Sequence, residues 1–236
     1  MRKRKKSGAP AGAIVFVVCL FVAVLAGSIF IQLLTSPKFQ GFGVDLPFGE
    51  ASGRSQPTGG AEGGPDGEGA YSWKDHPVFI VGDSLTVGAE KDISKTVANA
   101  TVDAKVGRNM SEGLNIIREW DDSGILADDA IIVVCLAHNI TGSTISDAEQ
   151  IVDIIKPGQS LIMMTGHGKS NMTPINEYLR ELPYKYPYIT LADWDLTIVQ
   201  SPGLLSDDGV HVGNKQGNKI YADLILLALE AAKPRP

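Results

Sequence analysis

A serine, an aspartate and a histidine in this 236-residue chain have the types and the spacing of a hydrolytic catalytic triad. Ser84 follows an apolar run at residues 78–81, and Asp208 and His211 stand three residues apart near the end of the chain. A serine hydroxyl becomes a nucleophile when a histidine accepts its proton and a carboxylate orients that histidine. These residues therefore predict attack on an acyl ester. Taken singly, each also has a plain structural interpretation, with Ser84 as a helix cap and Asp208 as a cap beside an incidental surface histidine.

Two further residues have the types that stabilise an oxyanion. Gly107 follows the second apolar run, where the absence of a side chain lets a backbone N–H approach a ligand closely. Asn139 follows the third run, where its side-chain amide can donate a hydrogen bond. With the N–H of Ser84, these residues would provide three donors for the negative charge that develops on an attacked carbonyl. Both residues are also common in ordinary turns.

Four polar side chains adjoin these motifs and are candidate substrate contacts. His138 precedes Asn139, and it could line the pocket or simply end a strand. His167 follows the fourth apolar run and so faces the same end of the predicted sheet. Asp83 and Arg108 complete the set. The histidines lack metal-ligand spacing, so we expect neither a metal nor another cofactor.

The elements that must position these residues alternate between short apolar runs and helical patterns. Near-continuous apolar runs are typical of strands that are covered on both faces, and alternation of such strands with helices indicates a parallel sheet between helix layers. In open sheets of this kind the working site lies at the carboxyl ends of the strands. Helix starts are predicted from a capping box at residues 146–149 and from Thr173 as an N-cap before Pro174, and the last helix is predicted at residues 215–231. The predicted strands are residues 78–81, 101–106, 130–136, 161–165 and 189–192.

The first 71 residues have a different character. Residues 1–10 contain five basic side chains and no acidic one, and residues 11–34 are almost wholly apolar. Because about 20 apolar residues cross a bilayer and basic flanks stay inside, this pattern predicts a cytoplasmic tail and a transmembrane anchor, with the remainder outside. Residues 35–71 are rich in Gly, Pro and acidic side chains, which is typical of a flexible linker. The catalytic domain is therefore expected at residues 72–236.

The charge and the cysteine content of the chain bear on nucleic-acid binding and on disulfide formation. The net charge is −6 although the amino-terminal tail is basic, so the predicted domain is strongly acidic and a nucleic-acid partner is not expected. The two cysteines, Cys19 and Cys135, both lie in apolar runs and are interpreted as buried side chains rather than as a disulfide.

Taken together, the motifs carry a family resemblance. From about residue 77 to residue 229 the chain resembles the SGNH hydrolases, also called GDSL hydrolases. Three segments look most like the extracytoplasmic SGNH domains of peptidoglycan O-acetyltransferases, namely Val81-Gly82-Asp83-Ser84, Val106-Gly107-Arg108 and Asp208-Gly209-Val210-His211. The third motif departs from the family's usual Gly-Thr-Asn or Gly-Asn-Asn, because this chain has Ala137-His138-Asn139.

The resemblance implies a flavodoxin-like three-layer α/β/α sandwich that needs no metal. It implies that Ser84 is the nucleophile, that Asp208 and His211 activate it, and that Ser84, Gly107 and Asn139 form the oxyanion hole. The expected function is a membrane-anchored, extracytoplasmic serine esterase or acyltransferase that acts on short O-acyl esters, acetyl above all, of cell-envelope glycans. If the chain is a transferase, a separate membrane protein could deliver the acyl group. The alternatives are a lipase or thioesterase on the same scaffold and a catalytically silent envelope-binding domain.

Overall fold

A computed structural model describes residues 71–236, which form a five-stranded sheet flanked by helices. All neighbouring strands are parallel, and their order across the sheet is β2-β1-β3-β4-β5. Every strand lies within two residues of its predicted bounds. All residues of β1, β3 and β4 are buried, as their apolar runs predict, whereas β2 at the sheet edge has no fully buried residue. The strands are β1 Val78–Gly82, β2 Ala100–Ala104, β3 Ile131–Cys135, β4 Ser160–Met164 and β5 Ile189–Ala192.

Six α-helices cover the two faces of this sheet. On one face, α2, α3 and α4 pack against side chains such as Phe79 and Val81, and on the other face α1, α5 and α6 pack against Val78 and Ile80. Successive residues of β1 thus point to opposite faces and both faces are buried, which gives the predicted three-layer sandwich. The helices are α1 Ser84–Thr96, α2 Met110–Asp122, α3 Thr144–Ile154, α4 Thr173–Lys185, α5 Trp194–Gln200 and α6 Lys215–Glu230.

The sheet order fixes where a site can form. The connections after β1 and after β3 run to opposite faces of the sheet, so the loops at the carboxyl ends of these neighbouring strands separate and leave a crevice. Ser84 is the first residue of α1, directly beyond β1, and Asn139 follows β3. The topology therefore places the predicted nucleophile and a predicted oxyanion donor at the same switch point.

Two predicted helix starts are wrong in detail. The helix assigned to a capping box at residues 146–149 begins earlier, at Thr144, and Asp147 accepts a hydrogen bond from Ser143 instead. Thr173 is the first residue of α4 rather than its cap, a position that Met172 takes. A real capping box occurs at the start of α2, where Asn109 and Glu112 bond reciprocally to each other's backbone N–H. Its three-residue spacing was visible in the sequence and could have been recognised.

The predictions for residues 1–10 and 11–34, and the prediction of a linker at residues 35–71 except at Tyr71, lie outside the described residues. Within residues 71–236, none of the helices combines the length and the apolar character needed to cross a membrane. Tyr71, which was assigned to the linker, contacts the domain, since its hydroxyl is 3.2 Å from Ser160 Oγ and its ring stacks on His76.

Candidate active site

Ser84, His211 and Asp208 form one hydrogen-bonded line. Ser84 Oγ lies 2.9 Å from His211 Nε2, and His211 Nδ1 lies 2.7 Å from Asp208 Oδ2. Because an ionised carboxylate can only accept, Nδ1 carries the imidazole proton and Nε2 is left to accept from the serine. His211 and Asp208 are about half exposed, so a substrate can reach this line from solvent.

A tight loop positions the aspartate and the histidine. The backbone N–H of Ser206 donates to the carbonyl of His211, and Leu205 pairs with Val212 in an antiparallel bridge, which closes the loop. Gly209, at the turn, has a φ of 69°, a left-handed value that favours glycine. The turn at Gly209 thus brings Asp208 and His211, three residues apart, into contact.

The Asp208 carboxylate is held by four donors. Besides accepting from His211 Nδ1, it accepts at Oδ1 from the N–H groups of Val210 and His211 and from the hydroxyl of Ser206. The hydrogen bond from His211, followed by those from the backbone, lowers the pKa of Asp208 below its ordinary value. The carboxylate stays ionised across the neutral range, where it can stabilise a charged imidazole.

Gly107 and Asn139 lie on the two loops that flank the nucleophile. Gly107 has a φ of 77°, and a β-carbon built there would meet nothing within 4 Å, so the backbone faces open space. The Asn139 side-chain nitrogen donates one hydrogen bond to the carbonyl of Arg108, at 3.0 Å. An amide nitrogen has two protons, so the second remains for another acceptor. The geometry is compatible with both residues acting as donors to an oxyanion.

Three of the four expected substrate contacts are buried inside the domain. Asp83, Arg108 and His138 are 0%, 6% and 7% exposed, respectively. Asp83 caps α1 by accepting from the N–H of Leu85, and its other oxygen is 3.0 Å from His138 Nδ1. Arg108 donates to the carboxylate of Asp103 and to the carbonyl of that residue. The polar groups of these side chains are thus engaged within the domain, Asp83 with His138 and Arg108 with Asp103, and their contact with substrate stays a prediction.

His167 is the fourth expected contact, and it lines a cavity of about 230 Å³. Its Nδ1 is 2.8 Å from Asp195, which also accepts from Arg180. Burial tends to raise the pKa of Asp195, but the hydrogen bonds from Arg180 and His167 outweigh it and lower the pKa. The cavity adjoins the loop that carries Asp208 and His211, since a β-carbon at Gly168 would lie 3.2 Å from Val210 Cγ2. Most of the side chains that line this cleft are polar.

Three residues of this region were not predicted from the sequence. Ser206 contacts Asp208, Asp195 contacts His167, and Arg180 in turn donates to Asp195. No motif or spacing in the sequence singles out these three residues. In the part of the chain from residue 71 onward, no group of three or more His, Cys, Asp or Glu side chains is arranged to hold a metal ion. Cys135 is fully buried, and this burial raises the pKa of its thiol to about 12, so it does not compete as a nucleophile.

Comparison with known proteins places these features in context. No model of a protein family matches the chain. Over 154 residues it is 28% identical to the putative peptidoglycan O-acetyltransferase YrhL of Bacillus subtilis, in an alignment that covers 65% of this chain and 24% of that relative. The chain thus spans about a quarter of the length of this curated relative.

Two solved structures share the fold. The C-terminal catalytic domain of the peptidoglycan O-acetyltransferase OatA of Streptococcus pneumoniae, with a methylsulfonyl adduct, superposes with a TM-score of 0.63 at 26% identity, covering 68% of this chain and 96% of that one. A member of the lipolytic G-D-S-L family from Veillonella parvula superposes with a TM-score of 0.54 at 14% identity, covering 64% and 96%, and shows the fold alone. These likenesses confirm the resemblance to SGNH hydrolases and the predicted enzyme class, which spans SGNH-type hydrolases and O-acetyltransferases.

Proposed function

We propose that residues 71–236 transfer a short acyl group, acetyl, to or from a hydroxyl of a cell-envelope glycan, with Ser84 as the covalent carrier. The observation that carries the proposal is the continuous line of hydrogen bonds from Ser84 through His211 to Asp208. The acetyl group and the peptidoglycan in this proposal are taken from the names of two similar proteins, YrhL and OatA. The serine, histidine and aspartate supply only acyl-ester chemistry.

The first half-reaction forms an acyl-serine. Ser84 Oγ attacks the carbonyl carbon of the donor ester while His211 Nε2 takes the hydroxyl proton, and Asp208 stabilises the imidazolium that results. The carbonyl oxygen becomes an oxyanion, which accepts hydrogen bonds from the N–H groups of Ser84 and Gly107 and from the Asn139 amide. When the carbon–oxygen bond to the leaving group breaks, the departing oxygen takes the proton from His211.

The second half-reaction returns the serine to its starting state. His211 removes the proton from an acceptor hydroxyl, the acceptor oxygen attacks the acyl carbon, and the bond to Ser84 Oγ breaks as the serine regains a proton. A glycan hydroxyl as acceptor gives O-acetyl transfer, and water gives hydrolysis. Because the site is half exposed, water has access, and an acceptor must be held in place to compete with it.

The cleft beside His167 is where we place part of the glycan. It is lined by the loop at residues 166–173 and by one face of α4, and most of its lining side chains are polar. His167 Nδ1 is engaged by Asp195, so its Nε2 is the nitrogen left to bind a sugar hydroxyl. The test is His167→Ala, which should raise KM for a muropeptide or chito-oligosaccharide acceptor while leaving turnover of an aryl acetate within about threefold of wild type.

Covalent trapping tests the reaction itself. Full-length protein is mixed briefly with an aryl acetate, quenched in acid and mapped by peptide mass, and the acetyl group should lie on Ser84. Ser84→Ala and His211→Ala should each remove nearly all turnover, and the double variant should be scarcely worse because the residues act as a unit. His76→Ala is the matched control, since His76 also pairs with an aspartate, Asp129, at 3.1 Å. Acetyl on another residue, or full turnover by Ser84→Ala, would end the proposal.

Two alternatives give different results in the same assay. A lipase or thioesterase would prefer esters of long acyl chains or thioesters, so rates measured across a series from acetyl to decanoyl esters separate it from an acetyl-specific enzyme. A silent envelope-binding domain would turn over none of these substrates and would bind glycan equally well with Ser84→Ala.

Anchoring belongs to the proposal as well. The basic residues 1–10 and the apolar residues 11–34 would hold the catalytic domain outside the cytoplasmic membrane, joined by the linker at residues 35–70. A separate membrane protein could then present the acyl donor. Protease added to intact cells should remove the folded domain, whereas survival of the domain until the membrane is breached would show the opposite orientation.

A further inference from the structure

Three loops meet at the carboxyl end of the sheet, and hydrogen bonds join each loop to the next. Asp83, in the turn before α1, bonds to His138 in the loop after β3. Asn139, in that same loop, donates to the carbonyl of Arg108 in the loop after β2. Arg108 Nη1 lies 3.4 Å from the carbonyl of Gly82, back at the nucleophile turn, where the N–H of Lys105 also donates, at 3.1 Å. The contacts therefore form a closed ring.

The ring joins the three predicted oxyanion donors. Each of Ser84, Gly107 and Asn139 is one of its members or adjoins one in the chain. An oxyanion hole works because its donors are already in place when charge develops, so the relative position of the three loops decides its strength. Backbone bonds hold part of this arrangement, from the N–H of Lys105 to Gly82 and from the N–H of Asp83 to Cys135, and the side chains of Asp83, His138, Asn139 and Arg108 add the remaining ties between the loops.

His138 is the member of the ring at which this chain differs from the family that it resembles. The family that this chain resembles usually has a smaller threonine or asparagine before the asparagine of the third motif. In this chain the imidazole of His138 reaches the buried carboxylate of Asp83. Since Asp83 must accept, His138 Nδ1 carries the proton. Its Nε2 is buried and has no hydrogen-bond partner among residues 71–236, so the side chain is held through Nδ1 alone.

We infer that His138 is a positioning residue, which sets the Asn139 amide by tying the loop after β3 to the nucleophile turn through Asp83. Asn139 gives one amide proton to Arg108, and this bond fixes the plane of the amide and leaves the second proton for the oxyanion. If the bond between His138 and Asp83 is lost, the loop after β3 loses this side-chain tie to the nucleophile turn, and the Asn139 amide can shift. The inference rests on the acyl-serine function proposed above.

The test is a double-mutant cycle on aryl acetate turnover. His138→Ala should lower kcat by roughly 10- to 100-fold, as a misplaced catalytic group does, while KM stays within about threefold. His138→Asn should recover most of kcat, because its side-chain nitrogen can occupy the place of Nδ1. In an Asn139→Ala background, which by itself costs about 10²–10³ in kcat, His138→Ala should cost less than about threefold more. His76→Ala serves as the control in both backgrounds.

Each outcome separates this role from a merely structural one. Equal losses from His138→Ala in the two backgrounds, or no recovery with His138→Asn, would overturn the inference even if Ser84 is acylated. Should His138→Ala not fold, His138→Gln takes its place in the cycle, because its amide lies one carbon further out and cannot replace Nδ1. If Ser84→Ala retains turnover, the proposed function fails. The double-mutant cycle on His138 and Asn139 is then measured with the residue that carries the acyl group as the nucleophile.

Discussion

Asp208→Asn should disable the histidine by changing which of its nitrogens carries the proton. In the structure Asp208 Oδ1 accepts from three donors, the N–H groups of Val210 and His211 and the hydroxyl of Ser206, at 2.8–2.9 Å. An asparagine must keep its oxygen on that side, since an NH₂ group would face three donors. Its nitrogen therefore takes the place of Oδ2, 2.7 Å from His211 Nδ1.

The consequence follows from hydrogen-bond polarity. With a donor facing Nδ1, the imidazole proton moves to Nε2. The protonated Nε2 faces Ser84 Oγ as a donor and cannot accept the proton of the serine hydroxyl. We expect kcat to fall by about 10⁴, the magnitude seen when the same change is made in a serine protease triad. Ser206→Ala is the matched control, because it removes one of the three donors without reversing polarity and should cost at most about tenfold.

Two measurements check this reasoning. Stopped-flow turnover of an aryl acetate gives kcat, and ¹⁵N NMR of the histidine ring reports the tautomer, which should be Nδ1–H in the native protein and Nε2–H in Asp208→Asn. Thermal melting confirms that the variant is folded. An Asp208→Asn enzyme that keeps more than a tenth of native kcat, or that retains the Nδ1–H tautomer, would refute the argument.

Three other predictions concern the fold and its titration. Cys135 should resist iodoacetamide at pH 8.5 in the native protein and react after denaturation, as peptide mapping can show, because burial raises the pKa of its thiol to about 12. Gly113→Ala should lower the free energy of unfolding by about 1–3 kcal/mol, since the new methyl group would lie 2.0 Å from Leu136 Cδ1. Gly88→Ala, also within a helix but with its nearest neighbour, Asn218 Oδ1, 3.8 Å from the new methyl group, should raise that free energy by about 0.5–1 kcal/mol in the same urea titration. Because folding lowers the pKa of Asp208, its stabilising contribution is present above the unfolded pKa of about 4 and is lost as the pH falls through the lower folded value. The Tm advantage of the native protein over Asp208→Asn should therefore be present at pH 5 and shrink below about pH 4.

The amino-terminal predictions stay predictions. The basic tail, the apolar stretch and the glycine-rich linker lie outside residues 71–236, and their assignment depends on composition and length alone. The protease experiment on intact cells is therefore the measurement that decides whether the catalytic domain faces the cell envelope.

The amino-acid sequence was enough to predict the sheet and the residues of the hydrogen-bonded line from Ser84 to Asp208, because both depend on short-range patterns. A buried strand needs a run of apolar residues, and Asp208 and His211 meet across three residues in a turn that Gly209 allows. Ser84 was identifiable because it follows a strand directly and stands at the start of a helix. The helix starts at Thr144 and Thr173 were harder, since neither has a side-chain cap to mark it.

Only the tertiary structure decided what the remaining polar residues do. Asp83 and His138 are 55 residues apart in the chain, Arg108 and Asn139 are 31 apart, and His167 and Asp195 are 28 apart. No local spacing encodes such pairs, because they exist only once neighbouring strands have brought their carboxyl ends together. The sequence alone could therefore not show that Asp83, Arg108 and His138 are buried, where a hydrogen-bond partner within the fold offsets part of the cost of leaving water.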